Sequence, residues 1–145
     1  MAVDVALTTV IERPIAEVAA YAGDPTNAPR WCRRIETVEW ETDPPVRLGS
    51  RARLRAAAFG RTLEYTFEIV ELTSGEQVAM RAVDAPFPMR TTSTWRPVGD
   101  RVTHMVLRNR AEPSGVAVLA APFLATAMRR TMRADLASLK GILES

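Results

Sequence analysis

The chain has 145 residues, 19 Lys+Arg against 17 Asp+Glu, one cysteine (Cys32) and one histidine (His104). That length is one domain's worth, residues 1–145, and the interleaving of the two charge signs argues against a nucleic-acid groove, which shows a clustered basic face. One thiol and one imidazole can build neither an internal disulfide nor a zinc site of Cys/His spacing, so no metal is expected, and with no phosphate-cradling glycine-rich loop no cofactor is expected either.

The densest basic cluster, Arg129, Arg130 and Arg133, reads as a solvated helix face. No integral membrane segment is expected: the most apolar run, Gly115 to Leu124, falls short of the roughly 18 residues a span needs. The opening Met1-Ala2-Val3-Asp4 lacks the charged and apolar regions of a signal peptide, and the lone thiol suits a reducing compartment, so the expected location is the cytoplasm.

Alternation begins at once. Val3, Val5, Leu7, Thr9 and Ile11 fall on one side and Asp4, Ala6, Thr8 and Glu12 on the other, which predicts a half-buried strand ended by Pro14. Helical spacing follows from Ile15 to Tyr21, with proline where a missing N–H costs nothing and Gly23 as the stop. Asp24-Pro25 then caps a second short helix running to Trp31.

From Ile35 to Ala111 six strands are expected at about 34–41, 49–59, 62–72, 76–84, 88–97 and 101–111. They are separated by the turn chemistry of Pro44-Pro45, Gly60-Arg61, Ser74-Gly75, Pro86 to Pro88 and Gly99-Asp100. A two-residue Gly60-Arg61 turn would pair Phe59 with Thr62. It would then set Ala58 opposite Leu63, Ala56 opposite Tyr65, Leu54 opposite Phe67, Ala52 opposite Ile69 and, on the outer face, Arg53 opposite Glu68.

The last hairpin allows two registers. With one extra loop residue, Met89, Thr91, Ser93 and Trp95 share a face with Thr103, Met105, Leu107 and Asn109; with a tight Gly99-Asp100 turn, Trp95 faces His104 instead. The first exposes more charge and is preferred, although it leaves Val102 and Val106 on the wetter face. After Pro113 the apolar period becomes helical through Leu124, Met128, Met132, Leu136, Leu139 and Leu143, which predicts an amphipathic helix of about 20 residues, near 30 Å long, with Pro122 at a kink or at its start.

This order of elements resembles the START-related lipid-transfer and polyketide-cyclase superfamily, also called SRPBCC. Val10-Ile11-Glu12-Arg13-Pro14 with Val18 is similar to the family's first strand running into a P-x-x-x-V helix start. Asp24 to Trp31 is similar to its D-x-x-N-x-P-x-W segment and Leu48-Gly49-Ser50-Arg51 to its entry to the third strand. Arg101-Val102-Thr103 is similar to its T-R-V-T element, with Asp100 in place of the usual Thr, and Asp135 to Glu144 to its closing D-L-x-x-L-K-x-x-L-E.

The resemblance covers nearly the whole chain. It implies an α+β helix-grip fold, a curved antiparallel sheet of about seven strands around a long C-terminal helix, with two short helices after the first strand. It also implies a cavity for a lipid, sterol, polyketide, quinone or aromatic compound, without fixing the chemistry, since the superfamily holds carriers as well as cyclases and dehydratases.

Alanines 52, 56 and 58 face larger neighbours in the hairpin, which fits either an under-filled cavity wall or large-against-small packing, and the resemblance favours the cavity. Candidate lining residues are Trp31, Tyr65, Phe67, Met80, Trp95, Met105, Phe123 and Met128. Tyr65, His104 and Asn109 are the candidates for polarising a substrate carbonyl, His104 being the one group that ordinarily titrates near neutrality. Three readings stay open: a carrier for a small hydrophobic ligand, which is preferred; a polyketide cyclase or dehydratase; and a partner-binding protein, with a homodimer included, acting through its C-terminal helix.

Overall fold

The computed structural model describes residues 2–58, 60–85 and 87–145. Seven antiparallel strands form one sheet in the order β1-β7-β6-β5-β4-β3-β2: β1 (Val3–Ile11), β2 (Ile35–Trp40), β3 (Arg51–Ala58), β4 (Arg61–Thr73), β5 (Gln77–Ala82), β6 (Met89–Gly99) and β7 (Val102–Ala111). The first two strands in sequence are therefore the two edges of the sheet. The chain between them crosses one face as α1 (Ile15–Ala22), a 3-10 turn (Pro25–Asn27) and α2 (Ala28–Trp31). Beyond β7 a second 3-10 turn (Gly115–Ala120) leads into α3 (Ala121–Glu144).

The helix boundaries follow from local chemistry. Gly23 closes α1 by donating its N–H to the Ala19 carbonyl at 2.9 Å. A Cβ at Gly23 would lie 2.5 Å from that same oxygen and 3.1 Å from Trp95 Cη2, so only glycine lets the Trp95 ring close against the end of α1. Asp24 caps as expected, accepting from the Thr26 N–H at 3.0 Å and the Thr26 hydroxyl at 2.7 Å, although the segment it starts is split into a 3-10 turn and one α turn. Pro122 sits in the first turn of α3, so it starts the helix and does not kink it. With 24 residues, α3 is about 36 Å long at the standard rise.

The β3–β4 hairpin differs in register from the sequence expectation. Ala58 pairs with Arg61, Ala56 with Leu63, Leu54 with Tyr65 and Ala52 with Phe67, two residues away from the expected set. Gly60, at φ 71°, lies between the closing pair Ala58 and Arg61, so Arg61 is the first residue of β4 and no longer part of the turn. The expected Phe59–Thr62 pair falls on Phe59, outside the described residues, as does Pro86 in the β5–β6 connection. A slip of two keeps every side chain on its face, so the inward set survives while the partners change. On the outer face Arg51 is now opposite Glu68 and hydrogen-bonds to it at 3.1 and 3.2 Å, while Arg53 and Arg55 flank Glu64. Arg51 and Arg81 together hold the Glu68 carboxyl below its usual range.

In the β6–β7 hairpin the preferred alternative is the one found. An irregularity between Pro97 and Gly99 supplies the extra residue, and Trp95 pairs with Met105, Ser93 with Leu107 and Thr91 with Asn109. Further irregularities in β2 and β4 bend the strands, as bulges do, and help to curl the sheet around its helices.

The core lies between the β1–β7–β6 side of the sheet and α3. Val5, Ile11, Met105, Met132 and Leu139 are almost fully buried in it, and Val18 of α1 joins them. Thr103, buried on the same face, donates its hydroxyl to the Arg13 carbonyl at 2.7 Å. The far end of α3 is clasped to the end of β1: Lys140 Nζ donates to the Val10 carbonyl and to Glu144, whose carboxylate in turn accepts from the Glu12 N–H at 2.8 Å.

Candidate functional site

Toward the β2–β5 end of the same concave face the interior is not filled. A cavity of about 150 Å³ lies between the concave face of the sheet, the α1–α2 segment and α3. Its sheet wall is built by Leu54 of β3, Phe67 of β4, Val78 and Met80 of β5, Thr91 and Ser93 of β6, and Leu107 and Asn109 of β7. Trp31 and Cys32 close it from the α2 end, and Asp135 reaches it from α3. The register explains the sheet wall. Phe67, Met80, Thr91 and Asn109 stand on one face because Ile69 pairs with Met80, Met80 with Thr91 and Thr91 with Asn109.

Four of the candidates named from sequence therefore line the cavity: Trp31, Phe67, Met80 and Asn109. Tyr65 shares their face but stands outside the lining, half-buried and edge-on to Phe67 with ring centroids 5.3 Å apart at 74°. Burial pushes its phenol above the ordinary tyrosine range, so it stays protonated at neutral pH. Trp95 and Met105 belong to the solid core beside Gly23 and α3, and Met128 packs half-buried against that core.

Phe123 is a correction, since it is 78% exposed. It stands one residue, about 100° of helical turn, off the stripe of Leu124, Met128 and Met132 that meets the body of the protein. His104 is the second correction. It lies on the outer face opposite Val10 and Arg96, where its Nδ1 accepts from Arg96 Nε at 3.4 Å, and it cannot reach the cavity.

The sequence reading missed Thr91, Ser93, Cys32 and Asp135. Thr91 and Ser93 were already on the face of Asn109 in the preferred register. Asp135 carried its own signal, falling three residues after Met132 and one before Leu136, inside the apolar stripe. It is 7% exposed, a carboxyl on the buried side of an amphipathic helix.

The polar chemistry of the cavity comes in two parts. On the sheet, the Thr91 hydroxyl donates to Asn109 Oδ1 at 2.7 Å, which orients the amide and leaves its hydrogens as donors. On the helix side, Asp135 Oδ1 accepts from the Arg33 N–H at 3.2 Å and so ties α3 to the end of α2. Burial raises the Asp135 carboxyl above its ordinary range, and the Arg33 N–H with the charges of Arg33 and Arg34 offsets only part of that. Burial and the neighbouring Asp135 charge also push the Cys32 thiol up, which keeps it a thiol and a poor nucleophile. Two indole N–H groups, of Trp31 and Trp95, are buried without a partner among the described residues.

The direction of the Asp135 shift gives a stability test. The folded chain holds this proton more tightly than the unfolded chain, whose carboxyl titrates near 3.8. The cost of burying the carboxylate is therefore absent below that pH, grows as pH rises through the folded-state pKa, and is constant above it. Asp135→Asn keeps an oxygen for the Arg33 N–H and removes the charge. The variant is expected to be more stable than the parent at pH 7, with the gap closing as pH falls toward 3.8. Paired urea melts across that range measure it, and a variant less stable than the parent at pH 7 contradicts it.

A curved antiparallel sheet gripping a long helix, with a small hollow left between them, defines a helix-grip protein. The chain belongs to the family described as polyketide cyclase / dehydrase and lipid transport, whose sequence model matches residues 2–144. It thus falls in the START/SRPBCC superfamily that its motifs resemble. Among solved structures it is similar to the Zhui aromatase/cyclase from Streptomyces sp. R1128, at 18% identity and TM-score 0.82 over 99% of this chain and 94% of that one. It is also similar to TTHA0849 from Thermus thermophilus, at 20% identity and TM-score 0.80 over 95% of this chain and 94% of that one. A START superfamily protein from Mycobacterium smegmatis matches at 15% identity and TM-score 0.80, over 97% of each chain. Identities this low establish the shared fold alone. No match is found among curated proteins. Among the described residues no group of three or more His, Cys, Asp or Glu side chains is placed to hold a metal, and no helix is long and apolar enough to cross a membrane.

Proposed function

We propose that the protein binds a small hydrophobic molecule in the cavity between its sheet and α3 and acts as a carrier or binding protein. The observation that carries this reading is the composition of the wall. Leu54, Phe67, Val78, Met80, Leu107 and Trp31 supply its apolar surface, and its sheet side holds only neutral polar groups, Thr91, Ser93 and Asn109. Such a wall attracts apolar guests by excluding water and orients them with a few hydrogen bonds. A second reading, a cyclase or dehydratase, draws support from the Asp135 carboxyl at the cavity and from the likeness to an aromatase/cyclase. In it Asp135 exchanges protons with a chain whose carbonyl Asn109 holds, and proximity contributes much of the acceleration. The free Cys32 thiol suits a reducing compartment such as the cytoplasm.

Thermal denaturation in the presence of fatty acids, sterols, quinones and aromatic ketones tests the binding reading. A guest at a hundred times its Kd should add about 2.7 kcal/mol of stability. His104→Ala should leave every shift unchanged, because the imidazole is on the outer face. The carrier reading further expects no turnover by the parent or by Asp135→Asn, whereas a measurable cyclisation that is lost in that variant decides for the enzyme. If no apolar compound shifts the melt, the binding reading fails.

A further inference from the structure

Resting on the reading of the cavity as a ligand site, we infer that its guest is a neutral single-ring compound carrying both a carbonyl and a hydroxyl, and not a fatty acid, a sterol or a fused polyketide.

Size is the first argument. A volume of about 150 Å³ is that of an apolar cavity known to take one benzene molecule, and is about half the lower end of ordinary ligand pockets, roughly 300 Å³. A sixteen-carbon chain or a four-ring sterol does not fit within it. Wall chemistry is the second argument. Trp31 of α2 and Phe67 of β4 both line it, and aromatic lining suits a planar ring better than a flexible chain.

Donors and acceptors are divided across the cavity. The sheet side offers a donor, because Thr91 orients the Asn109 amide through Oδ1 and its hydrogens have no partner among the described residues, so they can meet a guest carbonyl. The helix side offers an acceptor. Asp135 uses Oδ1 for the Arg33 N–H, and Oδ2 has no hydrogen-bond partner among the described residues, so it can take a guest hydroxyl. A guest with a carbonyl at one end and a hydroxyl at the other pairs with both, and one lacking either forgoes one of these hydrogen bonds. Charge is the fourth argument. Arg34 also borders the cavity, is exposed, and acts on Asp135 through its charge. The opposed pair favours neither a carboxylate nor an ammonium guest.

Isothermal titration of the intact protein with 4-hydroxyacetophenone, acetophenone, 4-ethylphenol, the apolar isostere p-cymene, salicylate and palmitate tests the inference. The expected order places 4-hydroxyacetophenone at least tenfold tighter than p-cymene, with acetophenone and 4-ethylphenol between them. Asn109→Leu should lower the affinity for 4-hydroxyacetophenone to about that for 4-ethylphenol and leave 4-ethylphenol unchanged. Thr91→Val, a smaller change that frees the amide to turn, should weaken the ketones in the same direction. Because the compound series is measured on the parent protein, it stands even if a variant does not fold. Tightest binding by palmitate or by salicylate overturns the single-ring neutral guest while leaving the cavity a ligand site. Equal affinity for p-cymene and 4-hydroxyacetophenone overturns the polar recognition. No binding by any of the six, palmitate included, removes both the inference and the binding reading beneath it.

Discussion

Leu139→Ala is expected to lower the free energy of unfolding by about 2–5 kcal/mol, read as a fall in the urea midpoint at unchanged slope. Leu139 has no exposed surface and lies in the cluster that joins α3 to Val5, Ile11 and Met105 of the sheet. Truncation there removes contacts on all sides, and the void cannot collapse because α3 is held at its end by the Lys140 and Glu144 bonds to Val10 and Glu12. Against a typical domain stability of about 5–15 kcal/mol, such a loss is severe. The same helix supplies the control. Phe123→Ala, at a position 78% exposed, should change stability by no more than about 0.5 kcal/mol. If the two substitutions cost the same, α3 does not seat on the sheet by the face described, and the cavity beneath it loses its roof.

The contrast between Leu139 and Phe123 also shows what kind of information the sequence carried. Periodicity identified the strands, the long helix and the stripe it buries, because a period of two or of 3.6 is imposed directly by the backbone. It also placed Thr91 and Ser93 on one face of β6, since within a strand parity decides the face, and Asn109 joined them only through the preferred register of the last hairpin. Pair partners were less legible. The β3–β4 slip of two residues leaves parity untouched, so the hydrophobic pattern could not detect it, and only the position of Gly60 within the turn settled it. The cavity was the least legible feature. Whether Ala52 and Ala56 border a void or a well-filled core depends on how far α3 stands from the sheet, a distance set by the whole fold and by no local motif. Phe123 and His104 were chosen for their residue type, aromatic and titratable, against the face their spacing assigned them. Asp135 was passed over although its spacing put a carboxylate among leucines and methionines. In each case spacing outweighed residue type as a guide to position.

Ser93→Phe should weaken ligand binding by at least about a hundredfold, or roughly 2.8 kcal/mol at 1.4 kcal/mol per tenfold, while leaving the protein folded. Ser93 is 9% exposed on the inner face of β6, opposite Val78 on one side and Leu107 on the other, and it lines the cavity. A phenyl ring placed there enters space that a one-ring guest would otherwise occupy. The accompanying stability change separates a hollow interior from a solid one. In a close-packed core the same ring forces its neighbours off their rotamers and costs about 1–3 kcal/mol. In a cavity it buries its own apolar surface, worth about 25 cal/mol per Å², without displacing anything, so stability should hold or rise. Loss of binding with stability retained therefore fits a ligand cavity at this place. Loss of stability with no binding to lose means that Val78, Leu107 and Phe67 already fill the interior, and the protein must then act through its surface.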